Sequence, residues 1–314
     1  MKRSWLYQAA LIAAAGLVLW YFASNTAQNL EARRIATGFA FLWREAGFEI
    51  GETTFIAYGA ADTYLRALAV GLVNTFRVAA LGVVLATVLG TLLGLARLSP
   101  NFLLARLAAG YVEAVRNVPL LVQLFFWYTI ITEVLPGAEE ALNPLPGVFL
   151  SNRGIFFPLP GDWPELSGFN FTGGGTLTPE FAALLVGLVT YTAGFIAEIV
   201  RAGILSVPRG QLEAARSMGL VRRDQLRHVV LPQALRLIVP PMTSQYLNLT
   251  KNSSLAVAIG YPDLVSIANT TMNQTGQAIE GIAIIMAVYL SISLSISALM
   301  NWYNKRVAMR GLAA

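Results

Sequence analysis

The chain has 314 residues, 56% of them hydrophobic and 12% charged, whereas a soluble globular domain carries about 25% charged residues. Long apolar runs parted by short polar stretches indicate one integral membrane domain rather than several soluble domains joined by linkers. The absence of cysteine excludes disulfides, thiolate chemistry, Cys-ligated zinc and iron–sulfur clusters. The net charge of +5 fits arginines held on one side of a membrane, with no nucleic-acid partner.

Lys2 and Arg3 precede an apolar run from Leu6 to Phe22. It reads as a first transmembrane helix rather than a signal peptide, because Phe22 to Ala27 offers no small-x-small cleavage site. Further spans are expected at Leu65 to Leu95, Ala105 to Leu135, Phe181 to Ile204, Pro232 to Ile259 and Ile279 to Trp302. The expected fold is therefore all-α and polytopic, with about six transmembrane helices. Ala23 to Tyr64 and the Pro- and Gly-rich Pro136 to Glu180 read as irregular extramembrane segments. The corresponding division is 1–64, 65–306 with an insert at 136–180 and a loop at 203–232, and a tail at 307–314.

Placing both termini in the cytoplasm puts Lys2, Arg3, Arg97, Arg201, Arg216 and Arg227 on that side, as the positive-inside rule requires. The loop from Gly203 to Pro232 then faces the cytoplasm. Within the spans, Gly90 and Gly94 have the GxxxG spacing that lets helix backbones approach closely, and packing inside one subunit is the plainer use of it. Asn117-Val118-Pro119 and Pro240-Pro241 are expected to kink their helices.

The basic loop predicts a helix–turn–helix elbow. Ser206 is expected to cap a short helix over Arg209 to Met218, with Pro208 in its first turn and Gly219 at its stop. Val221 to Val230 then forms a second amphipathic stretch before Leu231-Pro232 opens the next span. Basic loops between spans often do no more than obey charge asymmetry. Here, however, Glu213-Ala214-Ala215, Gly219 and Leu231-Pro232 resemble the EAA loop of the membrane subunits of bacterial ABC importers. Gly71-Leu-Val-Asn74-Thr-Phe76, Tyr111 to Gln123, Ala197-Glu198-Ile-Val-Arg201 and Lys251-Asn-Ser253-Ser-Leu255 resemble the polar amino acid permeases. Ser244 to Asp263 and Asn273 to Gln277 are similar to the branch taking glutamate, glutamine, aspartate, asparagine or amino acids generally. The added first helix and the long 136–180 insert depart from shorter, histidine-type members.

This resemblance implies the type I ABC importer permease fold with a cytoplasmic coupling helix. It also implies two ATPase subunits, a second permease subunit that is a copy or a sister chain, and a periplasmic amino-acid-binding protein. ATP and magnesium belong to the partner ATPase: none of the three lysines, Lys2, Lys251 and Lys305, follows the glycines of a phosphate-binding loop. The chain itself is then no enzyme. The coupling residues carried over are Glu213, Ala214, Ala215, Arg216, Gly219, Leu231 and Pro232.

Ionisable residues inside a span suggest function, and a zwitterionic substrate needs groups of both signs. Glu198 is expected to meet the ammonium of a polar amino acid and Arg77 its carboxylate. Asn74, Gln123, Tyr191, Thr192, Asn248 and Ser253 are expected to line the path. The competing reading is an Arg77–Glu198 ion pair, or separate pairings, that only hold helices together. The only histidine, His228, lies among arginines and offers neither a metal site nor a catalytic triad. The rival function is a secondary transporter with its own ion-coupling site and no ATPase.

Overall fold

A computed structural model of the chain describes residues 2–32 and 37–310. Its helices are α1 (Lys2–Ala32), α2 (Tyr64–Ala96), α3 (Phe102–Asn117), α4 (Leu120–Thr129), α5 (Pro179–Leu205), α6 (Arg209–Ser217), α7 (Arg222–Asp224), α8 (Leu231–Asn252), α9 (Leu264–Thr275) and α10 (Ala278–Arg310). Among the described residues four helices, α1, α2, α5 and α10, are each long and apolar enough to cross a membrane. Helix α3 and the helical segment Leu120–Val134 are apolar enough only as a pair, bent by 105°, which makes a fifth crossing where the two form one span.

The expected Ala105 to Leu135 span is thus a broken one. Pro119 pushes Val118 into extended backbone (φ −100°, ψ 128°), since the residue before a proline is barred from helical geometry. The buried Gln123 bridges the break, its Nε2 donating to the Val115 and Val118 carbonyls at 2.8 and 3.0 Å. The expected Pro232 to Ile259 span needs a second correction. Helix α8 stops at Asn252, a tighter turn covers Ser253–Ile259, and this segment does not reach the apolarity of the other spans. Its polar run of Thr243, Ser244, Gln245, Asn248, Thr250 and Lys251 is the reason. Pro240 and Pro241 leave the helix continuous.

Helices α2 and α5 form the centre. A side chain at Gly90 would place its Cβ 2.6 Å from Ile196, and one at Gly94 would come within 2.8 Å of the Ala197 carbonyl. The GxxxG pair is therefore a close approach within this chain, made possible by the missing side chains. Around it pack α3, α4, α8 and α9, with α10 laid against α8 and α9, and the core includes Leu124, Phe181, Leu184, Leu188, Ile196 and Leu249. The apolar stretch of α1 is entirely exposed.

The two segments expected to be irregular are more ordered than their composition suggested. Helix α1 continues through Ala32, and Phe39–Trp43 forms a short helical turn. The insert folds into six strands: β1 (Leu142–Leu145), β2 (Val148–Ser151), β3 (Gly154–Phe157), β4 (Glu165–Ser167), β5 (Asn170–Thr172) and β6 (Gly175–Leu177). An antiparallel sheet runs β1-β2-β3-β6, and β4-β5 form a separate hairpin. Phe149 and Phe156 pack on Phe171 with ring centroids 4.6 and 4.8 Å away, so a small aromatic core replaces the expected loop. Gly173 and Gly174, with φ of 76° and 65°, make the turn into β6, which leads through Thr178 into α5. Helix α10 extends to Arg310, and 311–314 of the expected tail lie outside the described residues.

Candidate functional site: the elbow and the polar groups of the bundle

Helix α5 ends on Ser206, whose hydroxyl donates to the Gly203 carbonyl at 2.6 Å. Ser206 therefore closes the preceding helix, and Pro208, not Ser206, occupies the N-cap of α6. The stop is as expected. Gly219 takes φ +80°, and its N–H donates to the Arg216 carbonyl at 2.9 Å while that of Leu220 reaches back to Ala215 at 3.1 Å. These two bonds make a Schellman cap, which needs left-handed backbone at the glycine. Ala215 is buried while Glu213, Ala214, Arg216 and Met218 are exposed. The buried face packs on a wide, π-type turn over Gln225–Val230, where Gln225 donates to the Leu220 carbonyl at 2.7 Å. That turn runs without interruption from α7 into α8, so Leu231 and Pro232 lie inside a continuing helix. Gln233 also donates to Gln211 at 2.5 Å.

Arg77 and Glu198 are not brought together. Glu198 accepts from Arg201, one turn along α5, at 2.5 Å, and from Arg97 at the end of α2. Arg77 lies toward the other end of the α2–α5 pair, 4.0 Å from the ring of Phe181. Seventeen residues of helix separate Phe181 from Glu198, roughly 26 Å. The partner of Arg77 is Glu52, at 2.8 Å, with side-chain exposures of 11% and 6%. Glu52 also accepts from Thr178, the N-cap of α5, at 2.5 Å. Of the two structural alternatives, the arrangement is that of separate pairings.

The remaining predicted path residues are dispersed. Asn74 is buried and donates to the carbonyls of Glu52 and Pro262, both at 3.0 Å. Thr192 is buried, and Tyr191 packs against Phe195. Ser253 is buried and donates to the Thr250 carbonyl at 2.8 Å. Asn248 alone of the set is exposed, on a face of α8 that also exposes Pro241, Ser244 and Lys251.

Sequence reasoning missed several groups. Glu52 lay in a stretch read as extramembrane, and nothing local marks it as a partner for Arg77. The Glu198–Arg201 contact was legible, because residues three apart share a helix face. Arg236 falls inside the predicted fifth span, and its buried Nε has no hydrogen-bond partner among the described residues. An ionisable residue in a span was signal enough. At the sheet end, Asp263 caps α9, accepting from the Ser266 N–H at 2.8 Å, and burial pushes its carboxyl up to about 7.

Residues 82–309 match the family described as the binding-protein-dependent transport system inner membrane component. The chain is 48% identical to the putative amino-acid ABC transporter permease protein YhdX of Escherichia coli (strain K12), over 98% of this chain and 94% of that one. It is 42% identical to the general L-amino acid transport system permease protein AapQ of Rhizobium johnstonii, over 98% and 92%. Identity to the glutamate/glutamine/aspartate/asparagine transport system permease protein BztB of Rhodobacter capsulatus is 37%, over 96% and 92%. Among solved structures, a crystal structure of an amino acid ABC transporter with histidines superposes with a TM-score of 0.59 at 27% identity, over 77% of this chain and 95% of that one. An inward-facing structure of the MetNI methionine ABC transporter shares the fold, with a TM-score of 0.51 at 21% identity. With its helical bundle, its glycine-capped elbow and these relatives, the chain belongs to the binding-protein-dependent transport system inner membrane components, the permeases of ABC transporters.

Proposed function

We propose that this chain is the membrane-spanning subunit of an ATP-driven importer of polar L-amino acids, drawn from glutamate, glutamine, aspartate and asparagine or from a broader set. A periplasmic binding protein delivers the solute, two ATPase subunits hold ATP and magnesium, and a second permease subunit completes the pore. Both termini lie in the cytoplasm, where the elbow meets the ATPase. The observation that carries this reading is α6 itself. It is a short helix closed by a left-handed glycine, with Glu213, Ala214, Arg216 and Met218 turned outward and the opposite face seated on the base of α8. A push on α6 is thereby passed to a helix that runs into the bundle.

The polar exposed face of α8 supports a refinement of the substrate path. Ser244, Asn248 and Lys251 are costly to hold against lipid, and lining an aqueous route shared with the second permease subunit relieves that cost. Glu198 and Arg77, each already paired, hold helices at the two ends of the bundle and guide solute only where those pairs open. The test is the purified complex in proteoliposomes with its binding protein, with ATPase activity and uptake measured for each amino acid in turn. Stimulation by at least one polar amino acid is expected. Silence with every amino acid would overturn the substrate class, and vanadate-insensitive, ion-driven uptake by the isolated chain would overturn the importer.

A further inference from the structure

A cleft of about 830 Å³ opens between α2, α5, α8 and α10 at the end of the bundle that bears the elbow. Its walls are almost wholly aliphatic, among them Leu95, Ile204, Leu235, Ile238 and Met242. The deep end is closed by Tyr246, which shares a 3.0 Å hydrogen bond with Thr87. Its rim is of a different chemistry. Arg222, Arg223 and Arg227 line it together, all three are exposed, and among the described residues none of them lies within ion-pair distance of a carboxylate. Leu226 and Leu231 lie between them, each 51% exposed. On the opposite wall Tyr303 of α10 completes the lining, and Lys305 and Arg306 follow two and three residues later.

Along such walls a polar amino acid meets only scattered hydroxyls, those of Thr87, Thr91, Tyr246 and Tyr303, and no charged group inside the rim to take its carboxylate or ammonium. An amphiphile with an acyl chain and a phosphate matches both parts: the chain fills aliphatic space that water would otherwise meet, and the phosphate takes charge-assisted hydrogen bonds from guanidinium forks. The volume falls within the range, roughly 300–1,000 Å³, that encloses small, largely apolar ligands. Basic groups bordering a gap between transmembrane helices are where anionic lipid headgroups lodge. We infer that this cleft is a binding site for one anionic glycerophospholipid, with an acyl chain between α5 and α8 and its phosphate held by Arg222, Arg223 and Arg227.

The site abuts the π-type turn on which α6 is seated, so the bound lipid braces the base of the elbow. This inference requires only that the chain resides in a membrane and holds whether or not amino acids are its cargo.

The test uses the chain purified in detergent with the subunits that accompany it, and counts retained lipids by native mass spectrometry. Phosphatidylglycerol and phosphatidylcholine of identical chains are titrated in turn. At about 1 kcal/mol for each basic residue near a headgroup, three arginines give on the order of a hundredfold preference for phosphatidylglycerol. The R222Q/R223Q/R227Q variant, altered only at exposed positions, is expected to lose that preference. The Thr91→Phe variant, which fills the cleft from a partly exposed position on α2, is expected to weaken both lipids, and glycerol-1-phosphate without chains is expected not to displace phosphatidylglycerol. Equal retention of the two lipids by the unaltered protein overturns the inference. So does an undiminished preference in the arginine variant, or displacement by glycerol-1-phosphate, which would reveal an anion site without an acyl-chain pocket. Absence of any retained lipid would show the cleft to be covered by protein and would overturn it as well.

Discussion

Gly219 has open space around its Cα, yet its φ of +80° is a conformation that β-branched residues adopt only with strain. Gly219→Val is therefore expected to unwind the last turn of α6 at a cost of about 1–3 kcal/mol, while the bundle still inserts. Gly219→Asn, which tolerates left-handed backbone, should retain most activity. ATP hydrolysis and uptake measured side by side in the assembled complex check this, and full transport by the valine variant would show that α6 is not the joint. Asp263 gives a pH dependence. Its folded-state carboxyl titrates near 7 because burial disfavours the charge, whereas an unfolded aspartate titrates near 3.9. Between those values the folded chain holds a proton that the unfolded chain releases. The resulting stabilisation is present at low pH and is lost as pH rises through about 7. Asp263→Asn keeps the oxygen that caps α9, so its thermal midpoint in detergent should vary less between about pH 5 and about pH 8 than that of the unaltered protein. Identical slopes would contradict this. These residue-scale features were unevenly legible. A glycine after an amphipathic turn announces a helix stop, so Gly219 was found; Asp263 is buried where the start of α9 meets Thr75 of α2 and Tyr289 of α10, which no local pattern encodes.

At the scale of elements, the α2–α5 contact is set by absent side chains. Gly90→Val would drive Cβ into Ile196, and overpacking of this kind costs typically about 1–3 kcal/mol. Gly110→Val, on α3 where a Cβ meets nothing within 4 Å, is the control. A large fall in thermal midpoint at position 90 with little change at 110 is expected, and equal effects would place the close approach elsewhere. The apolar spans α2, α5 and α10 were legible because periodicity hardly matters where a whole segment is apolar; composition alone identifies them. Two errors have physical causes. Proline at 119 was read as a kink, but the backbone N–H that Pro119 lacks and the helical conformation barred to Val118 turned the chain through 105°. The β insert was read as irregular because its strands are three or four residues long, too short for an alternation to show among so many prolines and glycines.

For the whole molecule, the buried Glu52–Arg77 pair joins an early segment of the chain to α2 and, through Thr178, to the start of α5. Removing one partner of such a pair leaves an uncompensated buried charge, commonly a loss of about 3–5 kcal/mol. Glu52→Met should lower the thermal midpoint strongly, and the double variant Glu52→Met with Arg77→Met should recover much of the loss. Failure of the double variant to recover would mean that the segment is held by its aromatic contacts, Phe41, Phe48 and Tyr64, and not by charge. This long-range pairing joins positions 25 residues apart, and no sequence pattern pointed to it.

One consequence follows from the way charges bracket the central helices. Glycines press α2 and α5 together beside the end that Arg97, Glu198 and Arg201 fasten, and Arg77, Glu52 and Thr178 fasten the other end. A pair clamped at both ends behaves as a single stiff strut, so strain applied at one end is transmitted along its length instead of being absorbed by bending. Motion is left to the pieces that are not clamped: the wide turn beneath α8 and the corner at Pro119. The strut measures the stroke, and those two joints swing around it.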